Sequence, residues 1–501
     1  MLSFIHSINQ ALLDKSNQRV FIYTFIISAI AHLYRWTNAS FVHDATLVFQ
    51  HDLDWQVSLG RFIIPYYLKI RRYIAAPFLI GLFATFFLSV SIVFIIRILD
   101  VSSWSGILLI CGILSTNVTL TSSYAEYLPW TDIYMVSLLF SVVGLYILIY
   151  YKNGFWLSGI FISVSMGLYP CYIEIYVALF MFWIILQIIK NQPAPVFGHA
   201  ICKFLISLAI GGLLYYFGWK LSLRVYDTMP ALARNSVAGI LNYESLIKQF
   251  PVLIFGTYKS FFASFLSSAK LVKICNVLIC LVSLVAPFIC TRNRRSQLLI
   301  LILLILLPLY SNFVYILSQG YLTETMRYPH ALFFLFPLVL VSKSKITEAN
   351  TFIMVSLPLL LVLTICTNVI HSNHVYLQKD LEYHSTLSVM TRVIDRIERT
   401  DGYIPGTTPV VLIGTLDNSE IALTDDGFDS KSHYATTYYE TYQNYFSTVL
   451  GYPINILDKD FAEDYYSNSN VIAMASFPSE GCTKIIDGVL VIKLSDAPWI
   501  S

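Results

Sequence analysis

Long apolar runs separated by short polar joints set the pattern of this chain, and a membrane-spanning helix needs a run of about 20 apolar residues. Eleven runs stand out, at 20–34, 77–98, 104–122, 133–150, 155–168, 172–189, 204–221, 272–289, 298–317, 331–341 and 352–370. The first, fifth and tenth are short for a full crossing. The first contains Ala29-Ile-Ala31, a small-residue pattern like that of a cleaved leader, but the stretch before it is long, polar and carries Asp14, which argues for an anchor. After about His371 the pattern changes. Residues 376–399 place Leu377, Leu381, Leu387, Met390, Ile394 and Ile397 near helical spacing and predict an amphipathic helix, while 410–416, 489–494 and 470–475 predict strands. The expected architecture is a polytopic α-helical membrane domain over 1–371, followed by a small α/β domain over 372–501, without long-period repeats or low-complexity tracts.

Composition agrees. Of 501 residues 56% are apolar and only 12% charged, against roughly a quarter charged in a soluble protein. Mean hydropathy is +0.66. A soluble enzyme, a disordered chain and a secreted disulfide scaffold are excluded. A net charge of +2 is too balanced to suggest nucleic acid as a partner. Aromatics reach 15%, which suits interfacial belts and carbohydrate stacking alike. Of the eight cysteines, Cys482 stands alone in the polar tail and the rest lie in or beside apolar runs, with no metal-ligand spacing.

Lysine and arginine set the orientation. With the N-terminus inside, inner joints hold Lys15, Arg19, Arg97, Lys152, Lys190, Lys203, Arg292, Arg294, Arg295, Lys343 and Lys345, while the outer joint 123–129 and the turn at Pro170 hold none. The exception is 35–76, an outer joint with Arg35, Arg61, Lys69, Arg71 and Arg72. Cations on the wrong face need a reason, and an anionic ligand is one. Acids collect at the outer face as well: Asp44, Asp52, Asp54, Glu126, Asp132, Glu174, Asp227, Glu244 and Glu324. The centres of the runs hold almost no ionisable residue, unlike those of transporters and proton relays. An odd number of crossings puts the α/β domain outside with the outer loops 35–76, 123–131, 222–269 and 318–330.

The loop 35–76 carries His43-Asp44, then His51-Asp52-Leu-Asp54-Trp55, then Gly60-Arg61, and its end mixes aromatic, aliphatic and basic residues over 62–74 as an interfacial helix does. One chemistry uses acids and arginines at a membrane surface. A sugar on a lipid phosphate already has a good leaving group; the enzyme must supply a carboxylate to take the proton of the attacking hydroxyl and cations against the charge growing on the phosphate. No nucleotide is needed, and the chain has neither a dinucleotide fingerprint nor a P-loop.

An acid soon after the first span, then Trp55, Gly60-Arg61 and an interfacial helix, resembles the serotype-converting O-antigen glucosyltransferases, the glucosyltransferase II family, whose fold is similar to the multi-span C-type glycosyltransferases. Ser122-Ser-Tyr-Ala-Glu126 with Trp130-Thr-Asp132 resembles that family's second outer loop, Tyr169-Pro-Cys-Tyr172 its aromatic turn, Thr325-Met-Arg327-Tyr328-Pro its late outer-loop arginine, and Phe477-Pro-Ser-Glu-Gly481 with Ile486-Asp-Gly-Val-Leu-Val-Ile492 its closing strands. Asp44 would match the first-loop acid, often a paired Asp-Asp; here His43 precedes it, so Asp52 and Asp54 are rivals. The resemblance implies a multi-pass enzyme of the bacterial inner membrane that moves glucose, in one inverting step, from undecaprenyl-phosphate glucose to the O-antigen repeat of lipopolysaccharide in the periplasm.

On that reading Asp44 is the first choice for general base, with Asp54 and Glu126 as further catalytic candidates. Arg61 and Arg327 would hold the phosphate; Glu126 and Asp132 would orient sugar hydroxyls; Asp52, Trp55, Arg71, Arg72, Tyr169, Glu174 and Tyr328 would line the substrate site. Asp132 also suits a helix N-terminus, Glu174 a helix dipole, and Arg327 an arginine snorkelling at the interface. No metal and no cofactor is required, because a base-activated hydroxyl suffices. Two other readings fit a polytopic chain: an O-antigen polymerase, which would join oligosaccharides instead of single sugars, and a lipid-linked sugar flippase, which predicts charge deep in the spans.

Overall fold

The structure, a computed structural model, describes residues 14–41, 53–231, 243–266, 270–291, 293–343, 348–416 and 439–497. They form two compact units. The first holds the described residues of 1–36, 52–124 and 130–373, the second those of 37–51, 125–129 and 374–501.

Helices run through the first unit as α1 (Lys15–Thr37), the short α2 (Leu53–Ser58) and α3 (Ile64–Ile70), α4 (Pro77–Ile98), α5 (Trp104–Thr116), α6 (Val118–Glu126), α7 (Thr131–Tyr150), α8 (Gly154–Leu168), α9 (Ile173–Ile189), α10 (Ala194–Val225), α11 (Tyr243–Leu266), α12 (Lys270–Cys290), α13 (Arg294–Ile305), α14 (Leu307–Ser311), α15 (Val314–Leu317), α16 (Ala331–Lys343) and α17 (Glu348–Glu398). The last residues of α1 and α6, and α17 beyond Asn373, count with the second unit. Local chemistry explains the ends. Pro77 opens α4, where its missing N–H costs nothing. The Ser103 hydroxyl accepts from Gly106 N and caps α5. Asn117 makes the break between α5 and α6 cheap: its amide donates to Leu114 O (2.7 Å) and its Oδ1 accepts from Leu120 N (3.0 Å).

Among the described residues seven helical stretches are long and apolar enough to cross a membrane: Lys15–Thr37, Pro77–Ile98, Trp104–Glu126, Leu128–Tyr150, Pro170–Ile189, Pro195–Val225 and Ile353–Glu398. Three shorter apolar helices accompany them, at Gly154–Leu168, Lys273–Phe288 and Tyr328–Leu340. This is the make-up of a polytopic helical membrane protein. α7 packs between α4 and α8, and α8 in turn against α10.

Three expectations change in the first unit. The run 298–317 is not one helix: it breaks after Ile305 and again at Asn312 (φ −145°), whose amide donates to Thr257 O (3.1 Å). Pro308 and Asn312 break a run whose apolarity alone suggests continuity. The stretch 222–269, expected as a loop, contains α11, a helix with Pro251 inside it. The interfacial helix expected over 62–74 is shorter, ending at Ile70, because Arg72 and Tyr73 take positive φ (53° and 57°).

The second unit contains a four-stranded sheet of order β2-β1-β4-β3, from β1 (Pro409–Ile413), β2 (Asn455–Ile456), β3 (Thr483–Ile486) and β4 (Val489–Lys493). β1 runs parallel to both neighbours, pairing Val411 with Val491, while β3 and β4 form a hairpin. Asp487 and Gly488, at φ 51° and 80°, make the two-residue turn that such a hairpin favours. Val410–Leu412 and Leu490–Ile492 are fully buried, under Met390, Val393 and Ile397 of α17 and the tyrosines of α18 (Tyr439–Asn444). α19 (Lys459–Tyr465) follows β2. The strand expected over 470–475 is a helix instead, α20 (Ser469–Ile472), because the Asn468 side chain accepts from Asn470 N and caps it.

Candidate active site

Gly60 and Arg61 make the turn between α2 and α3. Gly60 takes φ 89°, which only glycine adopts without strain. The reversal brings Arg61 back over α2: its N–H donates to Gln56 O (2.9 Å) and its Nη1 to Gln56 Oε1 (3.2 Å). α8 and α10 anchor the segment. Ile63 N donates to Gly167 O (2.9 Å), Trp219 Nε1 to Val57 O (2.8 Å) and Tyr215 OH to Gly60 O (3.1 Å). Buried Val57, Phe62, Tyr215, Trp219 and Leu223 complete the anchor. A Cβ on Gly167 would stand 2.7 Å from Ile63 and 3.1 Å from Phe62. Gly167→Val is therefore expected to cost about 1–3 kcal/mol by overpacking and to reduce transfer, read as a lower thermal midpoint together with a lower turnover; unchanged values in both would refute the anchor.

Arg61 is half-buried and its guanidinium lies 5.1 Å from the centre of the Tyr169 ring. Tyr169 belongs to a tyrosine cluster, with ring centres 4.4 Å from Tyr134 and 5.1 Å from Tyr172; Tyr172 is 5.8 Å from Tyr328. The Tyr169 hydroxyl shares a hydrogen bond with Thr325 Oγ1 (2.9 Å). Two residues on, Arg327 is half-buried and paired with Glu324. Tyr169 thus joins the segment that carries Arg61 to the one that carries Arg327. Tyr328 is fully buried and donates to Leu114 O (2.9 Å), so it supports the fold of this corner.

Asp132, at the start of α7, is fully buried and has both oxygens engaged. Oδ1 accepts from Arg71 Nη1 (2.5 Å) and Ile133 N (3.0 Å), and Oδ2 from Tyr67 OH (2.8 Å). Burial and then the Asp132 charge push the Tyr67 phenol above its ordinary range, so it stays a donor. Asp132, Arg71 and Tyr67 clamp α3 to α7; Arg72 is exposed. Glu174 is also fully buried, and its Oε1 accepts from Val314 N (2.6 Å), which ties α9 to the broken run.

Asp54 is exposed in the first turn of α2 and, among the described residues, forms no ion pair or hydrogen bond. Trp55 beside it is 48% exposed. Asp44 and Asp52 lie outside the described residues. In the second unit Glu126 Oε1 stands 3.4 Å from Lys379 Nζ, which also reaches Glu382 Oε2 (3.0 Å). Among the described residues no group of three or more His, Cys, Asp or Glu is placed to hold a metal.

Tyr67, Tyr134, Tyr172, Thr325, Lys379 and Glu382 belong to these clusters and do not figure among the candidates read from sequence. Three of them had a signal. Tyr67 precedes Arg71 by four, and Lys379 precedes Glu382 by three, so each pair shares a helix face. The rest are joined only by the fold.

No curated protein and no solved structure matches the chain. The family described as Glucosyl transferase GtrII matches residues 33–342, a stretch that holds α2–α15 and with them Arg61, Tyr169, Thr325 and Arg327. That match covers more than half of the sequence. With its apolar helices and its arginine-bearing segments joined at a tyrosine cluster, the chain belongs to the Glucosyl transferase GtrII family, and is a membrane glycosyltransferase.

Proposed function

We propose that this glycosyltransferase moves a glucosyl residue from undecaprenyl-phosphate glucose to the O-antigen repeat of lipopolysaccharide on the periplasmic face of a bacterial inner membrane, and so alters serotype. The observation that carries the reading is the junction at Tyr169, which ties the Arg61 turn to the Thr325–Arg327 segment. Two guanidinium groups on tied segments suit a lipid phosphate whose negative charge grows as it leaves. A carboxylate of the first loop takes the proton of the attacking hydroxyl. That oxygen bonds to the anomeric carbon as the bond to the phosphate breaks, with inversion. Eleven passages, with the N-terminus inside and the residues after 371 in the periplasm, complete the proposal. The seven long apolar helices and the three shorter ones among the described residues support a many-pass reading.

Lipopolysaccharide mass, compared in cells with and without the gene and with a supply of polyprenyl-linked glucose, tests this. A gain of one hexose per repeat supports it; no gain, or a gain of whole repeats, overturns it. Arg61→Ala is expected to lower the turnover number by about 10²–10³-fold, the usual effect of losing one group that stabilises developing charge. Arg61→Lys should recover part, because a lysine keeps the charge and loses the fork.

A further inference from the structure

A groove that the transfer chemistry leaves unused opens where α7 and α9 end and α10 begins. α10 has 32 residues, about 48 Å of helix, against a hydrocarbon core of about 30 Å. Its uncharged part runs from Phe204 to Trp219, flanked by Lys203 and Lys220. The two lysines are about 25 Å apart along the axis, so they mark the two headgroup levels. Beside Lys203 lies a cavity of about 400 Å³ lined by Leu148, Phe180, Trp183, Val196, His199 and Lys203, among others, with no acidic residue. Its aromatic wall is ordered: the Phe180 ring stacks on Phe204 at 4.0 Å and 7°, and Trp183 lies 5.9 Å from Phe180. His199 and Lys203 are one turn apart on one face of α10, and neither makes an ion pair or hydrogen bond among the described residues. Lys190, which ends α9, differs: its charge is answered by Asp100 at 3.0 Å.

We propose that this groove holds one anionic phospholipid of the adjoining leaflet, its phosphodiester between Lys203 and His199 and an acyl chain along Phe180 and Trp183. The apolar wall would accept the chain of any lipid. The selection comes from charge: a cation and a ring N–H without an acid favour a headgroup whose phosphate lacks its own positive partner, such as phosphatidylglycerol over phosphatidylcholine. The Trp183 indole on the same wall completes the site.

The full chain, reconstituted in nanodiscs of mixed phosphatidylcholine and phosphatidylglycerol and released into a mass spectrometer, is expected to retain one phosphatidylglycerol. His199→Ala with Lys203→Ala should lower that occupancy about five- to tenfold. The milder Lys203→Gln should lower it less, and Trp183→Ala should lower it while both polar groups remain. Lys220→Ala, at the other end of the same helix, should leave it unchanged. Equal retention of phosphatidylcholine, a polyprenyl phosphate retained in place of the phospholipid, undiminished retention in the double variant, or an equal loss in Lys220→Ala would each overturn the proposal.

Discussion

Asp44→Asn is expected to lower glucosyl transfer by about 10²–10⁴-fold, the range for removing a general base, while expression and thermal midpoint stay those of the parent. The amide keeps the size of the side chain and loses the ability to take the proton of the acceptor hydroxyl. Asp54→Asn is the matched comparison, because Asp54 is exposed and, among the described residues, forms no ion pair or hydrogen bond. Should Asp44→Asn retain full activity while Asp54→Asn loses it, the base is Asp54, and the same mechanism runs from the α2 helix. Full activity in both, measured as hexose added per repeat, would leave Asp52 as the remaining first-loop acid, and full activity in Asp52→Asn as well would remove the first loop from the chemistry.

Asp132→Leu is expected to be the most damaging single change to the fold. It removes the carboxylate paired with the Arg71 guanidinium, whose side chain is 3% exposed, and the acceptor of Tyr67 OH and Ile133 N. Breaking a buried ion pair from one side costs about 3–5 kcal/mol, because the remaining charge stays buried without its counterpart. In detergent the thermal midpoint should fall sharply and most of the protein should be lost on purification. Adding Arg71→Met should restore much of the loss, since two apolar side chains can replace a buried pair at little cost. If the double variant is no better than the single one, the damage comes from Tyr67 and Ile133, and the ion pair is not what holds α3 to α7.

The spans that apolarity alone defines were legible: 77–98 coincides with α4, and Pro77 marks its first residue. Three other kinds of feature were not. The break in α13–α15 lies inside a run that is apolar on either side, and it is fixed by partners far away, Thr257 for Asn312 and Glu174 for Val314. The long stretch 222–269 reads as a loop because its lysines and Pro251 dilute the apolar signal, yet α11 forms there by packing against α14, α15 and α12. The site shows the same limit. Arg61 and Arg327 stand out as a residue type suited to phosphate, but Arg71, of the same type, is paired with Asp132 across 61 positions. Nothing local distinguishes an arginine that meets a substrate from one that meets a buried carboxylate; only the tertiary pairing does. Glu126 likewise reads as an open acid until Lys379 is placed beside it.

The order of strands in the C-terminal sheet bears on how the chain is made. β4, the strand made last of the four, sits between β1 and β3 and supplies four of the registered pairs on β1. While the ribosome is still short of residue 493, β1 has one flank without its neighbour, although it was made about eighty residues earlier. An exposed Pro409–Ile413 edge is the kind of surface that pairs with other chains. Translation that stalls or stops before Val489 would thus release a protein whose helices are complete and whose sheet invites aggregation, which makes the timing of synthesis, as well as the final contacts, part of what this sequence has to manage.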